Sequence, residues 1–350
     1  MLATEATMVA GPASVAPPSE TSLSWKHIVG SADPFLQAVA ARLAEQIREF
    51  DPEIAQYAAY ALTNQGKQLR PALVALSAGA TGQVNDSHVL AAVIIEMVHL
   101  ATLVHDDVMD EASLRRGRPT LAANWGNEIS VLLGDCLFAH ALQLAASFPT
   151  PDICRAVAAA TNTVCAGEIL QTQRRKNFAL SQAEYFKALQ MKTGELFALS
   201  CDLGAFLSGA APVHRTALRQ YGLAIGTAYQ IYDDCLDLFG SEAVAGKSLG
   251  TDLAKGKLTL PMLILLERAE PAERASLEGW VREWNPATLG PVVRLLQRHH
   301  TLKSSRLAVH RYLEAARSAV SILPETESRA GLAGLTQFLA QQADALGNGP

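Results

Sequence analysis

The segment from Val89 to Leu100 is apolar around nearly its whole circumference if it forms a helix, and a run of aspartates follows it closely. A helix that is apolar on every side belongs in the interior of a protein. We therefore expect this segment to form a central helix that other helices surround. Its few polar side chains, and those that directly follow it, are the first place to look for function.

The rest of the chain also has a helical pattern. From Pro34 onward alanine and leucine dominate, and apolar residues recur at intervals of three or four, as in Phe35, Val39, Leu43 and Ile47. No alternating strand pattern competes with it. With 350 residues, of which 49% are hydrophobic, the chain can bury a large core. The sequence predicts an all-α protein, a large helical bundle around one central cavity.

The start of the chain has a different composition. Residues 1 to 24 are rich in Ala, Pro, Ser and Thr and carry few large apolar side chains, so they cannot offset the entropy cost of ordering. We predict a disordered tail over 1–24 and a single all-α domain over 25–350. Local chemistry marks three helix boundaries inside that domain, at Asp51-Pro52, at Asn85-Asp86-Ser87 and at Pro149-Thr150-Pro151.

Charge and cysteine content exclude several classes of protein. A formal net charge of -5 and a pI near 6.0 give no general electrostatic reason to bind nucleic acid. The five cysteines are odd in number and contain no CxxC pair, which favours a reduced, cytoplasmic location. The most apolar segments are interrupted by Glu96, His99 and Asp135, so we predict no signal peptide and no membrane span.

Two acidic clusters of the form DDxxD are the main chemical signal. They consist of Asp106, Asp107 and Asp110, and of Asp233, Asp234 and Asp237. Like charges at this spacing destabilise an isolated helix, so the clusters need cations. Mg²⁺ prefers oxygen ligands and is often held by one or two carboxylates plus substrate phosphates. A solvated acidic helix face is the alternative, but two clusters in apolar surroundings favour a metal site.

Compact basic groups complement these clusters, which would suit a diphosphate ligand. They are Lys67 and Arg70 in "GKQLRP", Arg115 and Arg116 in "RRGRPT", and Lys247 and Lys257 in "GKSLGTDLAKGKLTLP". Each group alone is more typical of a surface turn. His99 lies two helical turns before Asp106, on nearly the same face. It is either a satisfied core histidine or, as the basic groups favour, a donor to phosphate.

The chain resembles the polyprenyl synthetase family of trans-isoprenyl diphosphate synthases, from roughly Pro34 to the C-terminus. The resemblance rests on these segments in this order: "GKQLRP", "EMVHLATLVHDDVMDEASLRRGRPT", "GD" at Gly134-Asp135, "GEILQ", "KTGELF", "YQIYDDCLD" and "GKSLGTDLAKGKLTLP". It implies the α-helical isoprenoid synthase fold and a homodimer. It also implies Mg²⁺-dependent condensation of isopentenyl diphosphate with an allylic diphosphate.

The resemblance assigns roles to matching positions. The six aspartates would bind metal, and Arg115, Lys247 and Lys257 would bind the allylic diphosphate. The diphosphate of isopentenyl diphosphate would be bound by Lys67, Arg70, His99 and Arg116. The allylic group itself would be lined by Lys192, Thr193 and Gln230. Ionisation of the allylic C–O bond would be followed by attack of the isopentenyl double bond and by proton loss to the departing diphosphate, so no dedicated base is needed.

Product length depends on the helix that precedes the first cluster. The hydrocarbon tail is expected to run back from Asp106 along a wall formed by Ala101, Thr102, Met97, Val98 and Ile94. A bulky aromatic residue at the place of Ala101 commonly blocks the tail in this family, so we expect a long product of roughly seven to ten isoprene units. Leu137, Phe138 and Leu142 are further candidates for the floor of the pocket, with no orientation assigned by the sequence.

Other functions remain open at this point. A short-chain farnesyl or geranylgeranyl diphosphate synthase would share the same motifs. A class I terpene cyclase or a squalene-type synthase would share the cavity and the first DDxxD, although cyclases usually replace the second cluster. A regulatory subunit is a non-enzyme alternative, which the complete set of aspartates and basic residues disfavours.

Overall fold

The computed structural model describes Ile28 and residues 30–63, 66–241 and 249–347. Helices make up nearly all of this backbone, which confirms the all-α prediction. The predicted tail, 1–24, lies outside the described residues. The α-helices are α1 Asp33–Arg48, α2 Pro52–Leu62, α3 Leu69–Thr81, α4 Asp86–Met109, α5 Leu121–Ala146, α6 Asp152–Gln173, α7 Gln182–Leu189, α8 Glu195–Leu207, α9 Pro212–Phe239, α10 Thr251–Ala254, α11 Leu260–Arg268, α12 Pro271–Arg282, α13 Leu289–Arg298, α14 Thr301–Val320 and α15 Glu327–Ala345.

Short non-α elements interrupt the series. The 3₁₀ turns are Gly30–Ala32 and Pro286–Thr288, and a π-helical turn, Gln190–Gly194, joins α7 to α8. Between α4 and α5, β1 (Leu114–Arg115) pairs antiparallel with β2 (Arg118–Pro119). The sequence predicted no strand, and this hairpin corrects that prediction. Its strands are two residues each, too short to produce an alternating pattern.

The predicted helix boundaries follow the local chemistry. The Asp51 carboxylate accepts a hydrogen bond from the Glu53 backbone N–H at the start of α2. Asn85 and His88 form a reciprocal cap at the start of α4. Helix α6 begins just after the Pro149-Thr150-Pro151 segment. All three predicted boundaries are confirmed because capping and proline effects act within a few residues.

Helix α4 is the central helix that the sequence predicted. Ile94, Ile95 and Met97 are fully buried, and the helix packs against α1, α3, α5 and α8. The apolar pattern of α1 is also confirmed, with Val39 and Leu43 buried against α4. Buried apolar side chains from α1 to α15 form one contiguous cluster. The polar C-terminal end of α4 therefore lies at the edge of the apolar core.

Helices α8 and α9 pack against each other, and α14 covers another side of α9. Gly222 makes the first contact close, because a Cβ atom there would lie 2.4 Å from the Phe197 carbonyl oxygen. Any larger residue would have to push the helices apart. The close approach brings the C-terminal part of α9 beside the π-helical turn before α8.

Three of the described helices, α4, α5 and α6, are long and apolar enough to cross a membrane by length and composition alone. The share of the apolar window that is buried within the fold is 56% for α4, 33% for α5 and 28% for α6. The apolarity of α4 is therefore explained largely by its central position. In α5 and α6, most residues of that window are not fully buried within the fold.

Candidate active site

The two acidic clusters lie at helix ends. Asp106 and Asp107 belong to the last turn of α4, and Asp110 is the first residue after it. Asp233, Asp234 and Asp237 lie within the last two turns of α9. These positions agree with the prediction that each cluster is carried by a separate helix.

A cavity of about 220 Å³ lies between the two helix ends. It brings together residues that are far apart in the sequence, namely Asp106, Arg115, Lys192, Thr193, Gln230, Asp233, Asp234 and Lys257. All of these were singled out from the sequence. The cavity is also lined by Gln171, Tyr185 and Asp252, which were not.

Cations surround the first cluster. Asp110 is bound by Arg175, Lys255 and Lys257, with an N···O distance of 3.0 Å in each case. Burial would raise the pKa of the Asp110 carboxyl, but Lys257 and Lys255 outweigh burial and hold the pKa at about 2. Arg115 binds Asp107 through both its Nε and Nη2 atoms, each 2.8 Å from Oδ1. Asp107 and Asp110 are therefore each paired with basic side chains.

Lys192 joins the first cluster from the π-helical turn. Its Nζ atom lies 3.6 Å from the Asp106 carboxylate, donates to the Gln171 side-chain oxygen at 3.1 Å and contacts the Glu168 carboxylate. Burial would lower the pKa of Lys192, but Asp106 and Glu168 raise it, so the amine remains charged. The pKa of Asp106 is raised, chiefly by burial. π-Helical turns often occur at functional sites.

Gly167 allows this arrangement. A Cβ atom there would lie 2.6 Å from the Lys192 backbone nitrogen, so α6 can approach the π-helical turn closely only without a side chain. The neighbouring Glu168 then reaches the Lys192 amine. The sequence motif "GEILQ" contains Gly167, Glu168 and Gln171, and the three-residue spacing of its two polar side chains on an apolar helix was the signal for them.

Neutral donors surround Asp234 in the second cluster. Tyr185 donates to its Oδ2 atom at 2.6 Å, and Gln230 donates to its Oδ1 atom at 2.8 Å. The Gln230 carbonyl oxygen in turn accepts from the Thr193 hydroxyl at 2.9 Å. Burial, followed by the nearby Asp252, raises the pKa of Asp234 to about 8, although both hydrogen bonds favour the charged form. This cluster has no comparable cation on Asp234 among the contacts of the described residues.

Asp237, the third aspartate of the second cluster, has different hydrogen-bond partners from the other aspartates. It is fully buried, and its carboxylate accepts hydrogen bonds from the Thr251 hydroxyl and from the backbone N–H groups of Thr251 and Asp252. Asp237 does not line the cavity. Its predicted role as a metal ligand stays a prediction.

The predicted isopentenyl diphosphate residues form a separate basic group beside α4. Burial, together with Arg70, Arg115 and Arg116, lowers the pKa of His99 well below its usual value, so the imidazole is neutral. The Arg116 guanidinium lies against Gly66, and the Lys67 amine lies over the Phe338 ring. The structure brings Arg70 and Arg116 near His99, and the predicted role of the whole group in binding isopentenyl diphosphate stays a prediction.

A half-buried carboxylate within this group was not singled out. Glu96 lies one turn before His99 on α4, and burial raises its pKa while Arg70 and Arg116 lower it. The signal was a charged residue within the most apolar helix, since a buried charge requires a partner. Lys247 of the predicted set lies outside the described residues.

Turn geometry positions the arginine pair. Arg116 and Gly117 link β1 to β2 with positive φ angles of 49° and 76°. Positive φ at both central residues matches the twist of a two-residue hairpin. Arg115 on β1 thereby reaches Asp107, while Arg116 points toward Gly66. One short hairpin thus places Arg115 at the first acidic cluster and Arg116 in the basic group beside His99.

The predicted chain-length wall is buried in the core. Ala101, Met97, Val98 and Ile94 are at most 1% exposed, and the Thr102 hydroxyl donates to the His99 carbonyl oxygen at 2.7 Å. None of these residues lines the cavity between the clusters, which α4 borders through Leu103 and Asp106. The path of a hydrocarbon tail along α4 stays a prediction. Among the suggested floor residues, Leu137 is buried, Phe138 is half-buried and Leu142 is exposed.

Oxygen donors of this kind fit Mg²⁺, which binds carboxylates and phosphate oxygens. Within the described part of the chain, no group of three or more His, Cys, Asp or Glu side chains is placed to hold a metal ion by itself. The carboxylates of Asp106 and Asp233 nevertheless face the same cavity from different helices. Such a donor set suits a metal that is completed by ligands from a bound diphosphate.

Comparison with known proteins places the chain in a family. The family model described as polyprenyl synthetase matches residues 51–295. The octaprenyl diphosphate synthase of Escherichia coli (strain K12) is 32% identical over 308 residues, which cover 88% of this chain and 95% of that protein. The prediction of family from the sequence motifs is confirmed.

Solved structures agree with this result. A decaprenyl diphosphate synthase from Rhodobacter capsulatus gives a TM-score of 0.86 at 33% identity and covers 91% of this chain and 99% of its own. A polyprenyl synthase from Caulobacter crescentus CB15, solved with calcium and isoprenyl diphosphate, gives 0.87 at 33% identity, with 92% and 98% covered. A shorter-chain enzyme matches as well, since geranylgeranyl pyrophosphate synthetase from Pyrococcus horikoshii Ot3 gives 0.83 at 28% identity, with 91% and 99% covered.

Proposed function

The chain belongs to the polyprenyl synthetase family and is a prenyltransferase of the polyprenyl diphosphate synthase class, and from its site we propose the details of its reaction. It would condense isopentenyl diphosphate with an allylic diphosphate, with Mg²⁺ as cofactor, to give a long all-trans product. The observation that carries this proposal is the cavity where Asp106 on α4 meets Asp233 on α9, with Lys192 and Lys257 beside them.

The basic side chains would bind the allylic diphosphate. Arg115, Lys192 and Lys257 line the cavity, and Lys255 and Arg175 extend the cationic surface around Asp110. Mg²⁺, held chiefly by Asp106 and Asp233, would supply further positive charge to the leaving group. Donors aimed at the atoms where negative charge develops lower the barrier to breaking the C–O bond.

Neutral groups would stabilise the allylic cation that ionisation produces. The Thr193 hydroxyl and the Gln230 carbonyl lie next to each other at the cavity. The Gln230 amide NH₂ donates to Asp234, which leaves the carbonyl oxygen to accept from the Thr193 hydroxyl. The isopentenyl double bond would attack this cation, and the departing diphosphate would accept the proton.

Isopentenyl diphosphate would bind at the second basic group, with Lys67, Arg70, His99 and Arg116 as donors. His99 is neutral at physiological pH because burial and its arginine neighbours lower its pKa. It would therefore act as a hydrogen-bond donor, and the charge would come from the lysine and arginines. Glu96, beside Arg70 and Arg116, would hold these guanidinium groups in place.

Long products are favoured by two lines of support. Ala101 presents only a methyl group at the first turn behind the cluster, and relatives of this chain are named octaprenyl and decaprenyl diphosphate synthases. The test is chromatography of dephosphorylated products made from radiolabelled isopentenyl diphosphate and an allylic primer. Chains of seven to ten isoprene units are expected. A dominant farnesyl or geranylgeranyl product would reject the long-chain assignment, and diphosphate release without isopentenyl diphosphate would indicate a cyclase.

The aspartates require their own test. Asp106→Ala is expected to lower turnover at least about a hundredfold in the presence of Mg²⁺, since it removes a metal donor at the cavity. Asp152→Asn is the matched control, because Asp152 is an exposed carboxylate at the start of α6 and pairs with Arg155 at 3.8 Å. Circular dichroism should show that both variants fold. Full turnover in Asp106→Ala would reject the metal assignment.

A homodimer is proposed from the exposed apolar surface of α5 and α6. Val131 and Leu132 on α5 and Ile169 on α6 are 41%, 60% and 57% exposed. Large exposed apolar patches mark interaction sites, and we propose that these side chains belong to one. Leu132→Asp should shift the protein toward monomers in sedimentation velocity, whereas Leu307→Asp, at a 63% exposed site on α14, should not.

The remaining proposals concern location. All five cysteines, Cys136, Cys154, Cys165, Cys201 and Cys235, are unpaired, which supports a reducing compartment and hence the cytoplasm. The apolar surface of α5 and α6 is assigned to the dimer contact rather than to a membrane span. Fractionation of cells that express the tagged chain tests both proposals, and recovery in the integral-membrane fraction would contradict them.

A further inference from the structure

Asp237 is the third aspartate of the second cluster, and its carboxylate is bound to a turn rather than directed into the cavity. Its Oδ1 atom accepts from the Thr251 hydroxyl at 2.7 Å and from the Thr251 backbone N–H at 3.2 Å. Its Oδ2 atom accepts from the Asp252 backbone N–H at 3.1 Å. The Asp237 backbone carbonyl also accepts from the Gly250 N–H at 2.8 Å. The side chain is fully buried.

These contacts distinguish Asp237 from the aspartates that line the cavity. A buried carboxylate is stable only if hydrogen bonds or charges replace its lost hydration. Here donors from Thr251 and Asp252 do so on both oxygens. A metal ion at this carboxylate would compete with these donors for the same two oxygens.

The turn carries the lysines of the opposite cluster. Its backbone continues through α10 to Lys257, whose N–H donates to the Asp252 carbonyl oxygen at 2.8 Å. The side chains of Lys255 and Lys257 then reach Asp110, each at 3.0 Å. Asp237 of the second cluster thus holds the start of the turn at Thr251 and Asp252. Lys255 and Lys257, at the end of the turn, contact Asp110 of the first cluster.

A second attachment lies at the far end of the turn. Gly256, with a φ of 71°, accepts a hydrogen bond at its carbonyl oxygen from the Lys176 N–H at 2.7 Å. The residue before Lys176 is Arg175, which also binds Asp110. Asp237 at one end and the Lys176 contact at the other therefore hold the segment that delivers cations to Asp110.

We propose that Asp237 is a positioning residue, not a metal ligand, and that it holds residues 250–257 so that Lys255 and Lys257 meet the allylic diphosphate. This inference rests on the proposed function, because it assumes that the two lysines bind that diphosphate. The two clusters would then have different roles, although both have the DDxxD pattern. Two aspartates of α9 would face the chemistry, and the third would fasten the basic turn.

The first test measures the turn without any reaction. Hydrogen exchange of the full, metal-free chain is followed by mass spectrometry over peptides that cover residues 249–257, in the wild type and in Asp237→Asn. The amides of Thr251 and Asp252 donate to Asp237, so their exchange should become at least about tenfold faster in the variant. Exchange in α14 serves as the internal reference. Unchanged exchange over 249–257 would overturn the proposal, whatever the reaction of the protein.

The second test uses Thr251→Val, which removes one donor to Asp237 and leaves every aspartate in place. Loss of a hydrogen bond to a charged group is expected to reduce kcat/KM for the allylic diphosphate about tenfold. The KM for isopentenyl diphosphate should stay within about twofold of the wild type, since its site is separate. The matched control is Thr161→Val on α6, whose hydroxyl donates to the Val157 carbonyl oxygen at 2.9 Å.

A double-mutant cycle then joins the two variants. If Asp237 acts through the turn, Asp237→Asn and Thr251→Val must be non-additive in kcat/KM. The half-saturating Mg²⁺ concentration of Thr251→Val and of Asp237→Asn should shift together. Additive effects, or a Mg²⁺ requirement raised more than about tenfold in Asp237→Asn alone, would show a metal ligand and refute the positioning role. Complete inactivity of the wild type would instead reject the proposed function and leave the exchange test standing.

Discussion

The two DDxxD clusters have the same sequence pattern but lie in different environments. In the first, Asp107 binds Arg115, and Asp110 binds Arg175 and two lysines. In the second, Asp234 accepts from the neutral groups of Tyr185 and Gln230. The first cluster is balanced by charge, and Asp234 in the second is satisfied by dipoles.

Acid strength follows from this difference. Burial would raise the pKa of the Asp110 carboxyl, but the contact with lysines holds it at about 2. Burial beside other carboxylates instead raises the pKa of Asp234 to about 8. Lysines and arginines on flexible stems can transfer from Asp110 to a diphosphate. Asp234 has no such cation among its hydrogen bonds in the described residues, so this carboxyl depends more on a bound metal to become ionised.

The largest expected effect tests whether the clusters are equivalent in chemistry. Asp106→Asn and Asp233→Asn each remove one carboxylate that faces the cavity, so kcat/KM should fall about 10²- to 10³-fold in both. Steady-state kinetics at saturating Mg²⁺ measures this loss. If Asp233→Asn retained more than a third of the wild-type value, the second cluster would have no direct part in the reaction.

A smaller effect is expected from the cations of the first cluster. Lys255→Ala removes one of the basic groups at Asp110, and the KM for the allylic diphosphate should rise about tenfold because one charge-assisted contact is lost. Lys187→Ala, at an exposed site on α7, is the control. Equal KM values for both variants would show that Lys255 balances Asp110 without contacting substrate.

The neutral donors of the second cluster should contribute less. Tyr185→Phe keeps the ring and removes the hydroxyl that binds Asp234, so we expect a several-fold loss of kcat/KM and about 1 to 3 kcal/mol lower stability. Urea unfolding measures the second quantity. Tyr57→Phe is the control, since Tyr57 packs edge-on against Trp125 on another part of the molecule. Wild-type behaviour of Tyr185→Phe would mean that this hydrogen bond is dispensable.

The smallest effects concern stability against pH in metal-free protein. The folded pKa of Asp110 is lowered, so its contribution is present above pH 4 and is lost as pH falls toward about 2. The folded pKa of Asp234 is raised to about 8, so its folded form keeps a proton that the unfolded chain has lost. Stability from that group therefore decreases as pH rises from about 4 to 8.

Two variants distinguish the effects of Asp110 and Asp234 on the pH dependence of stability. Asp110→Asn should remove part of the loss of stability at acid pH, and Asp234→Asn should remove part of the loss between pH 4 and 8. Urea unfolding in EDTA across the pH range measures both. Parallel curves for wild type and Asp234→Asn between pH 4 and 8 would contradict a raised pKa for this carboxyl.

Much of the site could be predicted because its signals are local. The spacing of Asp106 and Asp110, the apolar run before them and the "KTGELF" segment each lie within a few helical turns. Glu168, Tyr185, Arg175 and Lys255 were missed as functional groups. Nothing in the sequence around Tyr185 and Arg175 shows that their partners, Asp234 and Asp110, lie 49 and 65 residues away.

The sequence by itself determined the helical class, the central position of α4, the capped helix boundaries and the identity of the acidic and basic groups. Each of these follows from a 3.6-residue period, from capping chemistry or from side-chain type. Tertiary structure alone decided that Asp110 meets cations while Asp234 meets Tyr185, and that Asp237 holds a turn. Those pairings depend on how α4, α9 and the segment after α9 pack in space, and no local rule encodes that packing.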